Sequence, residues 1–368
     1  MLMQKRLPVT VFTGFLGSGK TTVLRHLLKS SGQRLAVMVN EFGSVGLDGD
    51  LIRSCGFCPD DELEGRLVEL NNGCLCCTVQ DDFLPTMEQL LERSDRLDGI
   101  VVETSGLALP EPLLDALSWP EIRRRVHVNG VVTLVDGEAL SQGSPVSDPK
   151  ALEDQRRNDP SLDHLTAVED LFRDQLQAAD LVLISRADVL SKTAIDAVAT
   201  SLNAQVREGT ALLPIAAGSV DADVVLGLHH QAPQAAEPES SGHDHHHDHG
   251  HQHGHDHHHD HTHVEISSGV VQLEGLFDRT DLELQLPQLI QRLQVVRLKG
   301  RVWLPDKSLP LQIQMVGPRL NSWFESAPDS AWRPSQAQGL DLVVLSFQPD
   351  AAKQLEQNLN RLMQPVRC

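Results

Sequence analysis

Eight residues near the start of the chain have the types and spacing of a phosphate cradle: Gly14-Phe15-Leu16-Gly17-Ser18-Gly19-Lys20-Thr21, a G-x4-G-K-[ST] run. The glycines let main-chain N–H groups close around an oxyanion. A helix opening at Thr21 and Thr22 would add partial positive charge. Lys20 is the side chain that reaches the β- and γ-phosphates, and the Thr21 hydroxyl is a hard ligand for Mg²⁺. A second oxygen for that ion is expected from Glu103, which directly follows the apolar run Ile100–Val102. Glu41, in Asn40-Glu41-Phe42-Gly43 after the run Leu35–Val39, and Asp48 are read as switch-loop carboxylates. A solvated loop carboxylate is the plain alternative. Lys20, Thr21, Glu41 and Glu103 are thus the catalytic candidates.

The base would be chosen further along. Leu181–Ile184 reads as a strand, and Ser185-Arg186-Ala187-Asp188 follows it. Guanine-specific NTPases end such a strand with Asn-Lys-x-Asp, whose Asp accepts from the guanine ring N–H and amino group. Asp188 is present, Arg186 can stack on a base, and Ser185 replaces Asn. GTP with Mg²⁺ is the nucleotide expected.

Soft-ligand chemistry lies between these motifs. Cys55-Gly56-Phe57-Cys58 precedes Asn72-Gly73-Cys74-Leu75-Cys76-Cys77. Thiolates at Cys74, Cys76 and Cys77 suit Zn²⁺, Co²⁺ or Cu⁺. A structural zinc ribbon built on Cys55 and Cys58 is the rival, but adjacent Cys76 and Cys77 suit a ribbon poorly. Of 18 His in the chain, 13 fall within residues 243–263, mixed with Asp and Gly. His243, His245, His246, His247, His257, His258 and His259 are read as weak accessory metal ligands for storage or capture. A solvated linker is the alternative.

The elements that must hold these groups alternate. β-branched apolar runs at Val9–Phe12, Leu35–Val39, Ile100–Val102, Val131–Val135 and Leu181–Ile184 read as buried parallel strands. Between them fall helical faces: Val23, Leu24, Leu27, Leu28; Phe83, Met87, Leu90, Leu91; Val168, Leu171, Phe172, Leu176; and Ile195, Val198, Leu202. The pattern predicts a doubly wound, mainly parallel α/β domain of the P-loop NTPase type over residues 1–228. Residues 229–263 read as a linker with the His-rich tract, expected to be disordered when metal-free. Residues 264–368 predict a smaller α+β domain with a partly antiparallel sheet. Its strands fall at Val264–Leu273, Val295–Leu304, Leu309–Met315 and Leu340–Phe347, its helices at Asp281–Leu293 and Asp350–Met363.

Charge excludes some partners. With 31 Lys+Arg against 51 Asp+Glu the net charge is −20, and a surface of that sign repels phosphate backbones. Aromatic residues are 4% of the chain and Tyr is absent, so no base-stacking platform is expected. No apolar run is long enough to span a membrane, and Met1–Val9 shows no secretory pattern. A cytoplasmic protein with reduced thiols is expected.

The sequence resembles the CobW branch of P-loop metallochaperone GTPases from Leu7 to about Gly227. The likeness runs through Gly14–Thr22, Val39–Gly43, Gly46–Gly49, Glu69–Val79 with its Cys-x-Cys-Cys, and Glu103–Pro110. Asp159–His164 and Asp174-Gln175-Leu176 are similar too, and Arg297–Leu304, with Lys299-Gly300 and Trp303, is similar to the family's C-terminal domain. The resemblance implies slow GTP hydrolysis coupled to loading and release of a metal ion. Lys20 and Thr21 would act on phosphate and Mg²⁺, Cys74, Cys76 and Cys77 on the transferred metal, and Glu41 at a switch contact. It implies Co²⁺ as cargo for cobalamin biosynthesis, and a metal-receiving client such as a cobalt-inserting chelatase. Zn²⁺ as cargo of the same GTPase class is the second reading, since affinity order favours Zn²⁺ at most N/S sites. A zinc-buffering protein with a regulatory nucleotide site is the third. A small-molecule phosphotransferase leaves the cysteines unexplained.

Overall fold

Two sheets carry the chain, and the computed structural model describes residues 6–39, 67–69, 83–158, 167–227 and 266–363. The first sheet has seven strands: β1 (Leu7–Thr13), β2 (Leu35–Val39), β3 (Leu67–Glu69), β4 (Gly99–Glu103), β5 (Val126–Asp136), β6 (Leu181–Ser185) and β7 (Ala211–Pro214). Their order is β3-β2-β4-β1-β5-β6-β7, and every pairing is parallel. β4 and β6 are buried along their whole length, which is why they read as unbroken apolar runs.

Among the described residues eight helices accompany this sheet: α1 (Lys20–Ser30), α2 (Leu84–Glu92), α3 (Glu111–Leu117), α4 (Gly137–Ser141), α5 (Pro149–Asn158), α6 (Val168–Ala178), α7 (Lys192–Asn203) and α8 (Ala222–Leu226). Val23, Leu24 and Leu27 of α1 pack on Phe12, Val101 and Leu183. The opposite face takes Met87, Leu90 and Leu91 of α2 on Val11, Ile100 and Val102. It also takes Leu171, Phe172 and Leu176 of α6, with Val198 and Leu202 of α7, on Val182 and Ile184. Alternate strand residues thus feed two cores, as a doubly wound sheet requires. The chain runs outward from β2 to β3, returns to β4 beside β1, crosses β1 to β5 and runs outward again. That reversal makes the C-terminal ends of β4, β1 and β5 the switch point where such sheets bind ligands.

The second sheet contains β8 (Ser267–Glu274), β9 (Val295–Trp303), β10 (Leu311–Val316), β11 (Arg319–Phe324) and β12 (Gly339–Ser346) in the order β11-β10-β9-β12-β8. All its pairings are antiparallel, so the partly antiparallel expectation is corrected to a wholly antiparallel sheet. α9 (Arg279–Arg292) and α10 (Ala351–Leu362) cover one face, with Leu286, Ile290, Leu355 and Leu359 on Leu298, Val302, Leu342 and Val344. By strand alternation Arg297, Lys299 and Arg301 of β9 face the other way.

That other face meets the parallel sheet at the N-terminal half of β5. Arg297 is buried and donates to the carbonyls of Val224 and Val225, to the Asn129 carbonyl at 3.3 Å and to Asn129 Oδ1 at 3.2 Å. Burial pushes its guanidinium down to about 10, with Asp180 and Asp223 acting in opposition. Asn129 in turn donates to Thr10 Oγ1 at 2.8 Å and to the Leu226 carbonyl at 2.9 Å. Buried Asp180 accepts from Val131 N at 2.8 Å and Arg207 Nη2 at 2.6 Å, and pairs with Arg319 of β11. The joint therefore lies at the end of the sheet opposite the switch point. No helix among the described residues is long and apolar enough to cross a membrane.

Candidate functional site

The phosphate-type loop springs from the C-terminal end of central β1. Gly14 has φ +133°, and a Cβ there would lie 2.2 Å from the Leu134 carbonyl oxygen, so only glycine fits. Gly19 caps α1 at φ 99° without any side-chain hydrogen bond, and the first turn of α1 carries no acidic residue. The helix therefore presents its positive end to the loop. Lys20 is buried and folds back along the loop, its Nζ donating to the carbonyls of Gly14 at 2.7 Å and Phe15 at 3.2 Å. Gly17 is exposed, Ser18 buried, and the Ser18 hydroxyl has no hydrogen-bond partner among the described residues. A buried hydroxyl without a protein partner beside a helix N-terminus suits a ligand oxyanion.

Glu103 is the last residue of β4, in register with Phe12 of β1, and Thr104 N ties back to the Phe12 carbonyl at 2.8 Å. Its carboxylate is buried, and Thr21 Oγ1 donates to Glu103 Oε1 at 3.5 Å. The structure thus brings together the two oxygens expected for Mg²⁺. One hydroxyl and one carboxylate suit an ion that keeps its remaining positions for water and phosphate oxygens. The hydroxyls of Thr13 and Thr104 are likewise buried without partners among the described residues. Gly106, three residues on, lies so close that a Cβ would sit 2.7 Å from Leu16 N, which seats this segment on the loop itself.

Gln175 of α6 holds that segment from behind. It is fully buried, and its Nε2 donates to the carbonyls of Gly106 at 3.2 Å and Ala108 at 3.1 Å. Sequence reasoning gave Gln175 no role of its own, because a Gln on a buried helix face has no motif. Besides its place in the stretch Asp174-Gln175-Leu176, its signal was polarity at a position where α6 otherwise buries mostly apolar residues.

At the end of β6, Ser185 donates to the Val135 carbonyl at 3.1 Å. Ser185 also lies beside Gly19, 3.7 Å from where a Cβ there would stand. Arg186 adopts φ 56° and directs Nη1 to Asp136 Oδ2 at 2.7 Å, with Glu138 Oε2 at 3.5 Å. The guanidinium is thus held by Asp136, which also caps α4 through Ala139 N at 3.1 Å. Asp188 sits exposed in a 3₁₀ turn, Ala187–Val189. A turn at Ala216–Ser219 flanks this group and packs on Thr22: a Cβ on Gly218 would meet Thr22 Cγ2 at 2.7 Å. The small-residue run Ala216-Ala217-Gly218-Ser219 was its only mark in the sequence.

Glu41, Asp48, Cys55, Cys58, Cys74, Cys76, Cys77 and the His tract lie outside the described residues. Among the described residues no group of three or more His, Cys, Asp or Glu is disposed to hold a metal ion. The strands that precede two of these segments are described, however. β2 ends at Val39 and β3 at Glu69, and Val39 is in register with Glu69 on one side and Glu103 on the other.

Comparison with known proteins agrees with this geometry. Residues 8–214 match the model described as CobW/HypB/UreG, nucleotide-binding domain. Residues 266–363 match the cobalamin synthesis protein cobW C-terminal domain. The chain is 41% identical over 349 residues to a protein of Pseudomonas aeruginosa named zinc chaperone CobW, covering 94% of this chain and 89% of that one. It is 40% identical over 360 residues to one of the same name from a Sinorhizobium species, covering 94% of each. A solved Zn(II)-bound YjiA GTPase from E. coli is 20% identical and covers 98% of this chain and 100% of its own, at a TM-score of 0.40.

Proposed function

The chain belongs to the CobW/HypB/UreG family of nucleotide-binding proteins and carries the CobW C-terminal domain, and from that premise we propose that it is a GTP-hydrolysing metallochaperone whose cargo is Zn²⁺. The nucleotide is held by Gly14, Gly17, Ser18, Gly19, Lys20, Thr21 and Thr22. Thr21 and Glu103 hold Mg²⁺, which supplies charge neutralisation at the phosphates. Ser185, Arg186 and Asp188 meet the base. Cys74, Cys76 and Cys77 hold the transferred metal, and Glu41 links the two sites. The His tract is a weak accessory store.

One observation carries this reading. β2, β3 and β4 end on a common row at the edge where Lys20 and Thr21 sit. The switch carboxylate and the thiolates are therefore attached to the sheet beside the Mg²⁺ carboxylate. A loop ordered by the γ-phosphate can thereby bias the metal site, and hydrolysis can release it.

Zn²⁺ replaces Co²⁺ as first choice because two relatives matched over nearly their full length bear the name of zinc chaperones and because Zn²⁺ binds N/S sites more tightly than Co²⁺. The client is then a zinc-requiring protein rather than a cobalt-inserting chelatase. The test is a titration of reduced, metal-free protein with Zn²⁺ and Co²⁺, each with Mg²⁺ and either a non-hydrolysable GTP analogue or GDP. Zinc binding tightened only by the GTP analogue supports the proposal. Tight Co²⁺ binding under the same gating returns cobalt to first place. Equal zinc affinity in both nucleotide states indicates a zinc-buffering protein.

A further inference from the structure

A cleft of about 420 Å³ opens between the two sheets, at the edge of the parallel sheet away from the nucleotide. Its floor is the polar face of the antiparallel sheet: Lys299 and Arg301 of β9, Gln312 of β10 and Trp323 of β11. Its far wall includes Arg6 and Gln33, which precede β1 and β2. In a chain of net charge −20, a cavity lined by Arg6, Lys299 and Arg301 is out of character.

Its acids are already engaged. Asp98 is gripped by Arg34 through two bonds of 2.9 and 3.1 Å, and Glu325 accepts from Trp323 Nε1 at 2.8 Å. Arg301 is under-paired. It is 6% exposed, yet Asp341 approaches only to 3.9 Å, beyond hydrogen-bond range, and spends Oδ1 on Gln272 at 3.0 Å. Arg301 Nε and Gln33 Nε2 are buried with no partner among the described residues. Burial lowers the Arg301 pKa, with Asp341 the main opposing influence. Buried guanidinium N–H groups without acceptors are costly, and a planar oxyanion satisfies them. Trp323 packs on His127 with ring centroids 4.6 Å apart and planes tilted by 36°, and gives the cleft an aromatic side. The volume is that of a small-molecule site.

We propose that this cleft binds a small carboxylate or phosphate anion, its charged group received by Arg301 and Lys299 beside Trp323. The site is separate from the nucleotide site and does not depend on the metal cargo.

The test uses the full chain with the nucleotide site filled by GDP and Mg²⁺, titrated calorimetrically with pyrophosphate in one arm and succinate in the other at constant ionic strength. Saturable binding of one probe is expected, weakened about tenfold or more by Lys299→Gln and by Arg301→Gln. The arm that saturates identifies phosphate or carboxylate as the recognised group. Lys299 is only half-buried, so Lys299→Gln reads out the site even if Arg301→Gln fails to fold. GDP affinity is expected to be unchanged in Lys299→Gln. Absence of saturation by either probe, or binding that survives Lys299→Gln undiminished, overturns the proposal.

Discussion

Glu69 and Glu103 stand on one register row of the parallel sheet, two strands apart, with Val39 between them. Neighbouring strands are about 4.8 Å apart, so the two positions are separated by roughly 10 Å. The segment containing Cys74, Cys76 and Cys77 begins directly after Glu69, and the segment containing Glu41 directly after Val39. Glu103 accepts from Thr21. The proposed metal ligands, switch carboxylate and Mg²⁺ ligand are therefore rooted in the chain at the ends of three adjacent strands of one sheet. On the proposed function, coupling between cargo and nucleotide needs no long-range path.

That arrangement predicts reciprocity. If a GTP analogue tightens Zn²⁺ binding by some factor, Zn²⁺ must tighten the analogue by the same factor, about 5–150-fold for ordinary couplings. Cys76→Ser or Cys77→Ser is expected to weaken Zn²⁺ binding and abolish this effect of Zn²⁺ on nucleotide affinity, with metal-free nucleotide affinity unchanged. Parallel loss of metal and nucleotide binding in calorimetry would mean that the thiolates hold the fold instead.

Glu103→Gln separates charge from shape. The amide fills the same buried space beside Thr21 but offers Mg²⁺ a neutral oxygen. GTP turnover is expected to fall about 100-fold or more, the scale of losing one electrostatic contact to the transition state. The Mg²⁺ concentration for half-maximal rate should rise. Unchanged Mg²⁺ dependence, with turnover measured across a magnesium series, would remove Glu103 from the ion's shell.

What could be read beforehand follows from where the information lies. β2 was legible to the residue at Leu35–Val39, and β6 nearly so, because parallel strands covered on both faces are written as unbroken apolar runs. The loop at Gly14–Thr21 and its partner Glu103 were legible because their chemistry demands fixed types at fixed places. β11, Arg319–Phe324, was not: every residue in it is half-buried, so no alternation marks it. α5, Pro149–Asn158, has almost no apolar face to betray a helix. The joint of Arg297, Asn129 and Asp180 joins positions far apart in the chain. Each reads alone as an ordinary polar residue.

Deleting residues 243–263 tests the His tract by itself. Metal stoichiometry at saturating Zn²⁺ should drop, while GTP turnover and the tight thiolate site persist. Equal stoichiometry, read by atomic absorption after gel filtration, would leave the tract as a linker.

Gln175 tests the support behind the segment that follows Glu103. Gln175→Leu removes both donors to the Gly106 and Ala108 carbonyls and leaves those acceptors buried. The expected cost is about 1–3 kcal/mol, moderated because the buried Oε1, which has no partner among the described residues, goes as well. Gln175→Glu should cost more, since an acceptor then faces two carbonyls. In both variants GTP turnover should fall more than GDP affinity, because the segment and not the phosphate loop is loosened. Equal losses in both quantities would point to general unfolding.

Arg297 tests how the two sheets are joined. Its charge is itself a burden there, since burial has pushed the guanidinium down to about 10. What holds the joint is the fan of hydrogen bonds to Val224, Val225 and Asn129. Arg297→Met keeps the bulk, removes the charge and leaves those acceptors buried. Breaking such a buried set costs about 3–5 kcal/mol. Arg297→Lys keeps the charge but has no planar fork to span three carbonyls, so it should recover only part of the loss. Urea denaturation followed by Trp fluorescence is the measurement. Trp303, Trp323 and Trp332 lie in or beside the antiparallel sheet, and Trp119 lies in the parallel half. The Met variant should show the two halves unfolding in separate transitions where the parent unfolds in one. A single transition at the parent midpoint would show that the sheets are held together by something other than Arg297.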